Sequence, residues 1–124
     1  MLKVLGLQIL SAADRATNLQ RAAEMIRANP GHDLYVLPEL SSTGYDQACF
    51  DRLEELAEDV HDGPSTTFFR GVARDVKAHI AFGFPRRRSD AEVAATPDKG
   101  GRGLYLCYYA LCRGHRGRGC LHVR

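Results

Sequence analysis

The sequence predicts an α/β fold built on a parallel, layered sheet. Three observations predict it. Short apolar runs of strand length stand at 3–10, 34–37 and 79–84. Stretches with a helical apolar period separate them, with Pro or Gly at the junctions. Strands alternating with helices form parallel crossover units. The composition is globular as well, with 44% hydrophobic and 26% charged residues among 124. That length allows one ordinary domain with a modest core.

Residues 3–10 (KVLGLQIL) read as the first strand. Lys3, an apolar stretch and small residues also outline a signal peptide. Gln8 interrupts that stretch and it is short, so a buried strand is expected. Ser11 to Asp14 form a helix-start cluster. Thr17 and Gln20 have capping-box spacing, and Asp14 offers a cap one turn earlier. Leu19, Ala22, Ala23 and Ile26 then recur on one helical face, and Asn29-Pro30-Gly31 stops the helix. Residues 34–37 are the second strand. Pro38 has no N–H for a sheet ladder and should end it.

Residues 47–60 read as one helix. Phe50, Leu53, Leu56, Ala57 and Val60 make its apolar stripe, and Glu54, Glu55, Glu58 and Asp59 a solvated face. Asp62-Gly63-Pro64 is a turn. Ser65 or Thr66 can cap the next helix, whose inner face holds Phe69, Val72, Ala73 and Val76. His79 to Phe84 form the third strand, expected to end at Pro85.

The functional signal lies at 33–45, DLYVLPELSSTGY. Glu39 follows the strand-ending Pro38, so it stands at the carboxyl end of a strand, where open α/β sheets bind ligands. A partly desolvated carboxylate held there can serve as a general base. The run resembles the glutamate motif of the carbon–nitrogen hydrolase (nitrilase/amidase) superfamily, in which a strand ends in Pro-Glu and a short loop leads to Gly-Tyr. The order of elements agrees over residues 1–88. The resemblance implies the first part of a four-layer α-β-β-α nitrilase-like sandwich, incomplete, with two stacked sheets and helices outside. It also implies cofactor-free hydrolysis of a small-molecule amide or nitrile through a Glu-Lys-Cys mechanism. On that pattern Glu39 is the general base. Tyr45 packs the Glu39 loop, Ser41, Ser42 and Thr43 are turn residues, and Cys49 is core.

Residues 89–124 read as an atypical Gly/Arg/Cys-rich tail, such as a truncated or frame-shifted copy of a longer hydrolase would carry. Net charge changes from −1 over residues 1–88 to +3 over 89–124. The apolar block 104–112 fits one strand or a short helix. No lysine suits the family position: Lys99 lies in a Pro-Asp-Lys-Gly-Gly turn and Lys77 within a helix. Leu106-Cys107-Tyr108 resembles the family's apolar-Cys-Tyr signature, which makes Cys107 the candidate nucleophile, although it follows Phe84-Pro85 too soon. Without a nucleophile that reaches Glu39, the chain is expected to be a catalytically inactive fragment or an interaction partner.

An incomplete sandwich leaves an apolar sheet face open, so self-association through that sheet is expected. Two other readings are weaker. Cys107, Cys112, His115, Cys120 and His122 lie close together, but their spacing departs from that of zinc modules. Arg113, Arg116, Arg118 and Arg124 with Tyr105, Tyr108 and Tyr109 could engage nucleic acid, but the charge excess is small. No apolar run has bilayer-spanning length. Four cysteines without a secretory signal point to reduced thiols and a cytoplasmic setting.

Overall fold

The structure is a computed structural model that describes residues 1–95, 106–112 and 120–123, the last two segments through their backbone. Five strands form one sheet in the order β1-β2-β3-β4-β5. They are β1 (Val4–Gly6), β2 (Leu34–Val36), β3 (His79–Arg86), β4 (Leu106–Cys112) and β5 (Cys120–Val123). The first three are parallel, with Leu5 beside Tyr35 and Tyr35 beside Ile80. β4 and β5 continue the sheet antiparallel. The block 104–112 thus contains a strand, and its pairing with β3 decides what periodicity left open.

The two main helices form where the patterns put them. α1 (Arg15–Ala28) is capped by Asp14, whose carboxylate accepts from the Thr17 N–H and hydroxyl. Those two bonds hold the Asp14 carboxyl below its usual range. The earlier of the two candidate caps is therefore the one used. Leu19, Ala22, Ala23 and Ile26 are all buried, as expected from their spacing. They meet Phe69, Val72 and Ala73 of α4 (Pro64–Val76) and the strand residues Tyr35, Ile80, Phe82 and Phe84. Phe82 lies 4.6 Å from Phe69 and 5.6 Å from Phe84, centroid to centroid. This aromatic row closes the core on one face of the sheet.

Alternate residues of a strand face opposite sides. The other face therefore carries Val4, Gly6, Leu34, Val36 and Ala81, all half-buried or exposed. Among the described residues no helix contributes to a core on that side.

The segment 47–60 departs from a single helix. It forms α2 (Gln47–Asp51) and α3 (Leu53–Leu56), interrupted at Arg52. Beyond Leu56 the chain leaves helical geometry because β3 claims its backbone. The Glu58 N–H donates to the Pro85 carbonyl, and the Arg87 N–H donates to the Glu58 carbonyl. Phe50 is consequently exposed rather than part of an inner stripe. The same pairing accompanies β3 past Pro85 to Arg86.

Glu58 corrects the reading of a solvated acidic face. It is 3% exposed. Its carboxylate accepts from the Ser65 N–H and the Ser65 hydroxyl, both at 2.6 Å, and lies 3.5 Å from the Arg15 guanidinium. Ser65 thus receives a cap instead of providing one. Gly63 is the N-cap and Pro64 the first helical residue. The orphan N–H groups of the helix start favour a carboxylate there.

α5 (Asp90–Ala95) is a short helix that polarity alone concealed. Ser89 and Glu92 form a reciprocal capping box, and Arg86 grips Glu92 through its two terminal guanidinium nitrogens. The Arg86 bonds, with those from Ser89, hold the Glu92 carboxyl at about 2 against its ordinary 4.5. A carboxyl lowered in the folded state stabilises it above the ordinary value and ceases to do so as pH falls. Acidification from above 4.5 towards 2 should therefore loosen α5. Glu92→Gln should abolish that pH response, read from the Val93 amide, which donates to the Ser89 carbonyl.

Candidate active site

β2 ends where Pro38 requires. The Leu37 N–H still donates to the Ala81 carbonyl at 2.9 Å, and Pro38 then leaves the ladder. Glu39 follows at the carboxyl end of three parallel strands. Residues 38–44 form a tight turn in which the Ser41 N–H donates to the Pro38 carbonyl and the Gly44 N–H to that of Leu40. Gly44 has φ +82°, which favours glycine.

Distant elements hold this turn. Asn18 of α1 is fully buried, and its amide donates to the carbonyls of Ala12 and Ser42 while accepting from the Ala12 N–H. The Ser11 hydroxyl donates to the Ser41 carbonyl. From the other side, the Ser41 hydroxyl donates to the Gly83 carbonyl of β3. Gly83 is essential to that approach, since a Cβ there would lie 1.6 Å from the Glu39 carbonyl oxygen. Gly83 alternates with Phe82 and Phe84, so the Glu39 turn lies over the sheet face that carries no helix-packed core among the described residues.

The Glu39 side chain is exposed, in contrast to the expected partial desolvation. The reason is the face it occupies, which has no helix-packed core among the described residues. Its Oε2 accepts from the Tyr45 hydroxyl at 2.7 Å. Tyr45 is 55% exposed, so its contact with the loop is made chiefly through that hydroxyl. Cys49 is buried, and its thiol donates to the Thr43 carbonyl at 2.7 Å. Burial, then the neighbouring Asp46 carboxylate, push that thiol up, which keeps it protonated and structural. Ser41, Ser42 and Thr43 are buried turn residues.

Cys107 stands in β4 at the register position opposite Pro85, and two positions along Gly83 pairs with Tyr109. These pairings bring the backbone of Cys107 to the strand next to the one bearing the Glu39 turn. Its side chain lies outside the description, as do those of Tyr108, Tyr109, Cys112, Cys120 and His122. Lys99, Tyr105, Arg113, His115, Arg116, Arg118 and Arg124 lie outside the described residues altogether. Lys3 and Lys77 precede β1 and β3, at the amino ends of the parallel strands and away from Glu39. The arrangement supplies a rigidly seated carboxylate able to exchange a proton.

Two site residues escaped the sequence reading. Asn18 is a polar residue among the apolar positions of α1, one turn from Ala22, which is a usable signal. Gly83 interrupts an aromatic strand, which often marks a close backbone approach.

The sequence pattern of the carbon–nitrogen hydrolase family matches residues 3–108, which extends past residue 88 into β4. A nitrilase of Pyrococcus abyssi is 33% identical over 89 residues, covering 70% of this chain and 34% of that protein. A nitrilase-superfamily structure from Saccharomyces cerevisiae superposes with a TM-score of 0.70 at 22% identity, covering 91% of this chain and 40% of that one. A carbon–nitrogen hydrolase superfamily structure from Xanthomonas campestris does so with a TM-score of 0.71 at 20% identity, covering 98% and 39%. The chain thus spans about a third of the curated relative's length, and these structures share its fold, of which it is a part.

Proposed function

The chain belongs to the carbon–nitrogen hydrolase family, and we propose on that premise that it serves the hydrolysis of a small amide or nitrile with Glu39 as general base. The observation that carries this reading is the seating of Glu39. Its turn is clamped from α1 and β3 at the carboxyl ends of the parallel strands, and one carboxylate oxygen has a defined partner. A base on a rigid support takes a proton without prior reorganisation.

Cys107 is the proposed nucleophile, supported by its register on β3, the strand next to the one that bears the turn. Its thiol adds to the nitrile or carbonyl carbon while Glu39 takes the thiol proton. With an amide, Glu39 then returns a proton to the leaving nitrogen; with a nitrile, a first water adds to the thioimidate before ammonia leaves; in both, water then cleaves the thioester. The developing oxyanion calls for a cation. The reaction needs no cofactor, and four cysteines with Cys49 a free thiol suit a reducing, cytoplasmic setting.

A second reading is favoured by the positions of the two lysines among the described residues and by the sheet face that carries no helix-packed core among those residues. Lys3 and Lys77 lie at the wrong end of the sheet for an oxyanion formed near Glu39. Val4, Leu34, Val36 and Ala81 offer an apolar surface to a second copy or another protein. On this reading the chain is a non-catalytic partner. An amide and nitrile hydrolysis assay separates the two. If the first holds, Glu39→Gln and Cys107→Ala each lower the rate by about 10²-fold or more. A flat response in all three proteins favours the second.

A further inference from the structure

We propose that Tyr45 is a positioning residue for the Glu39 carboxylate, a role that rests on Glu39 being the general base. The phenolic hydroxyl donates to Oε2 at 2.7 Å, the length of a strong bond from a neutral hydroxyl to a charged oxygen. Oε1 accepts no hydrogen bond from the described residues. The two oxygens are thereby made unequal: among the described residues one has a hydrogen-bond partner and the other has none.

The backbone on both sides delivers the hydroxyl to that place. Gly44, in the left-handed region, turns the chain back on itself, and its N–H is tied to the Leu40 carbonyl. Asp46 caps α2 directly after Tyr45, accepting from the Cys49 N–H at 2.8 Å. Tyr45 therefore sits between two anchored residues. Its ring is 55% exposed, so apolar burial explains little of its position. The terminal carboxylate torsion of a glutamate is broad and weakly restrained by itself. A hydrogen bond to one oxygen is what restrains it here.

Tyr45→Phe keeps the ring and deletes the hydroxyl. The first measurement is carboxyl carbon NMR of protein labelled at glutamate, at fixed pH. The Glu39 signal is the one missing from Glu39→Gln. It should move in Tyr45→Phe while the other glutamate signals stay in place. The second measurement is turnover. Tyr45→Phe should lower kcat about tenfold with KM changed less than about twofold. An unmoved Glu39 signal overturns the proposal. So does unchanged kcat in Tyr45→Phe where Glu39→Gln abolishes turnover. If Glu39→Gln leaves turnover intact, the general-base reading fails instead. In a chain without measurable turnover, the carboxyl signal alone decides whether Tyr45 orients Glu39.

Discussion

Gly83→Ala will lift the Glu39 turn off β3. The added Cβ would stand 1.6 Å from the Glu39 carbonyl oxygen and 2.7 Å from its Cα. Both are backbone atoms, so no rotamer change can relieve the clash. Either the turn or the strand must move by more than an ångström. Overpacking costs typically about 1–3 kcal/mol, and an obstacle made of backbone puts this variant at the upper end. On the proposed role of Glu39 as general base, a displacement of about an ångström there should lower turnover on the order of 10²-fold. The urea midpoint should fall, and the amide signals of Ser41, Thr43 and Gly44 should shift most. A midpoint and amide signals like those of wild type would show that the close approach does not exist.

Glu58→Ala should be the most destabilising change in the acidic run. Its carboxylate satisfies the Ser65 N–H and hydroxyl at the start of α4 and lies beside the Arg15 guanidinium. Its loss leaves the buried Ser65 N–H and hydroxyl unsatisfied, which costs about 1–3 kcal/mol for such groups, while Arg15 is itself partly exposed and loses less. Domains of this kind are stable by only about 5–15 kcal/mol, so part of the margin goes. Glu55→Ala is the matched control. Glu55 pairs with Arg52 in the open, and the urea midpoint of this variant should stay close to that of wild type. Equal midpoints for Glu58→Ala and Glu55→Ala would refute the burial of Glu58.

The contrast between those two glutamates shows what the sequence could convey. Periodicity located α1, α4 and the three parallel strands, because their apolar residues repeat locally and tertiary packing agrees with the repeat. Pro38 marked the end of β2 and thus the place of Glu39 for the same reason. Glu58 was illegible because its acidic neighbours share its chemistry, and only the non-local pairing with Pro85 and Arg87 draws it inward. α5 had a local signature, Ser89 with Glu92 three residues on, but lacked the apolar stripe that gives such a signature weight. The exposure of Glu39 could not be read at all. It depends on which sheet face the turn crosses, and that follows from Gly83, far along the chain.

The seating of Glu39 also sets when its geometry can appear during folding. Of the contacts that anchor its turn, those to Ala81 and Gly83 arise from β3, the third of the described parallel strands. A nascent chain holding only β1, α1 and β2 has the acid but not its support. Pairing across more than forty residues is slow compared with local helix formation. The geometry proposed for Glu39 therefore waits on the docking of β3.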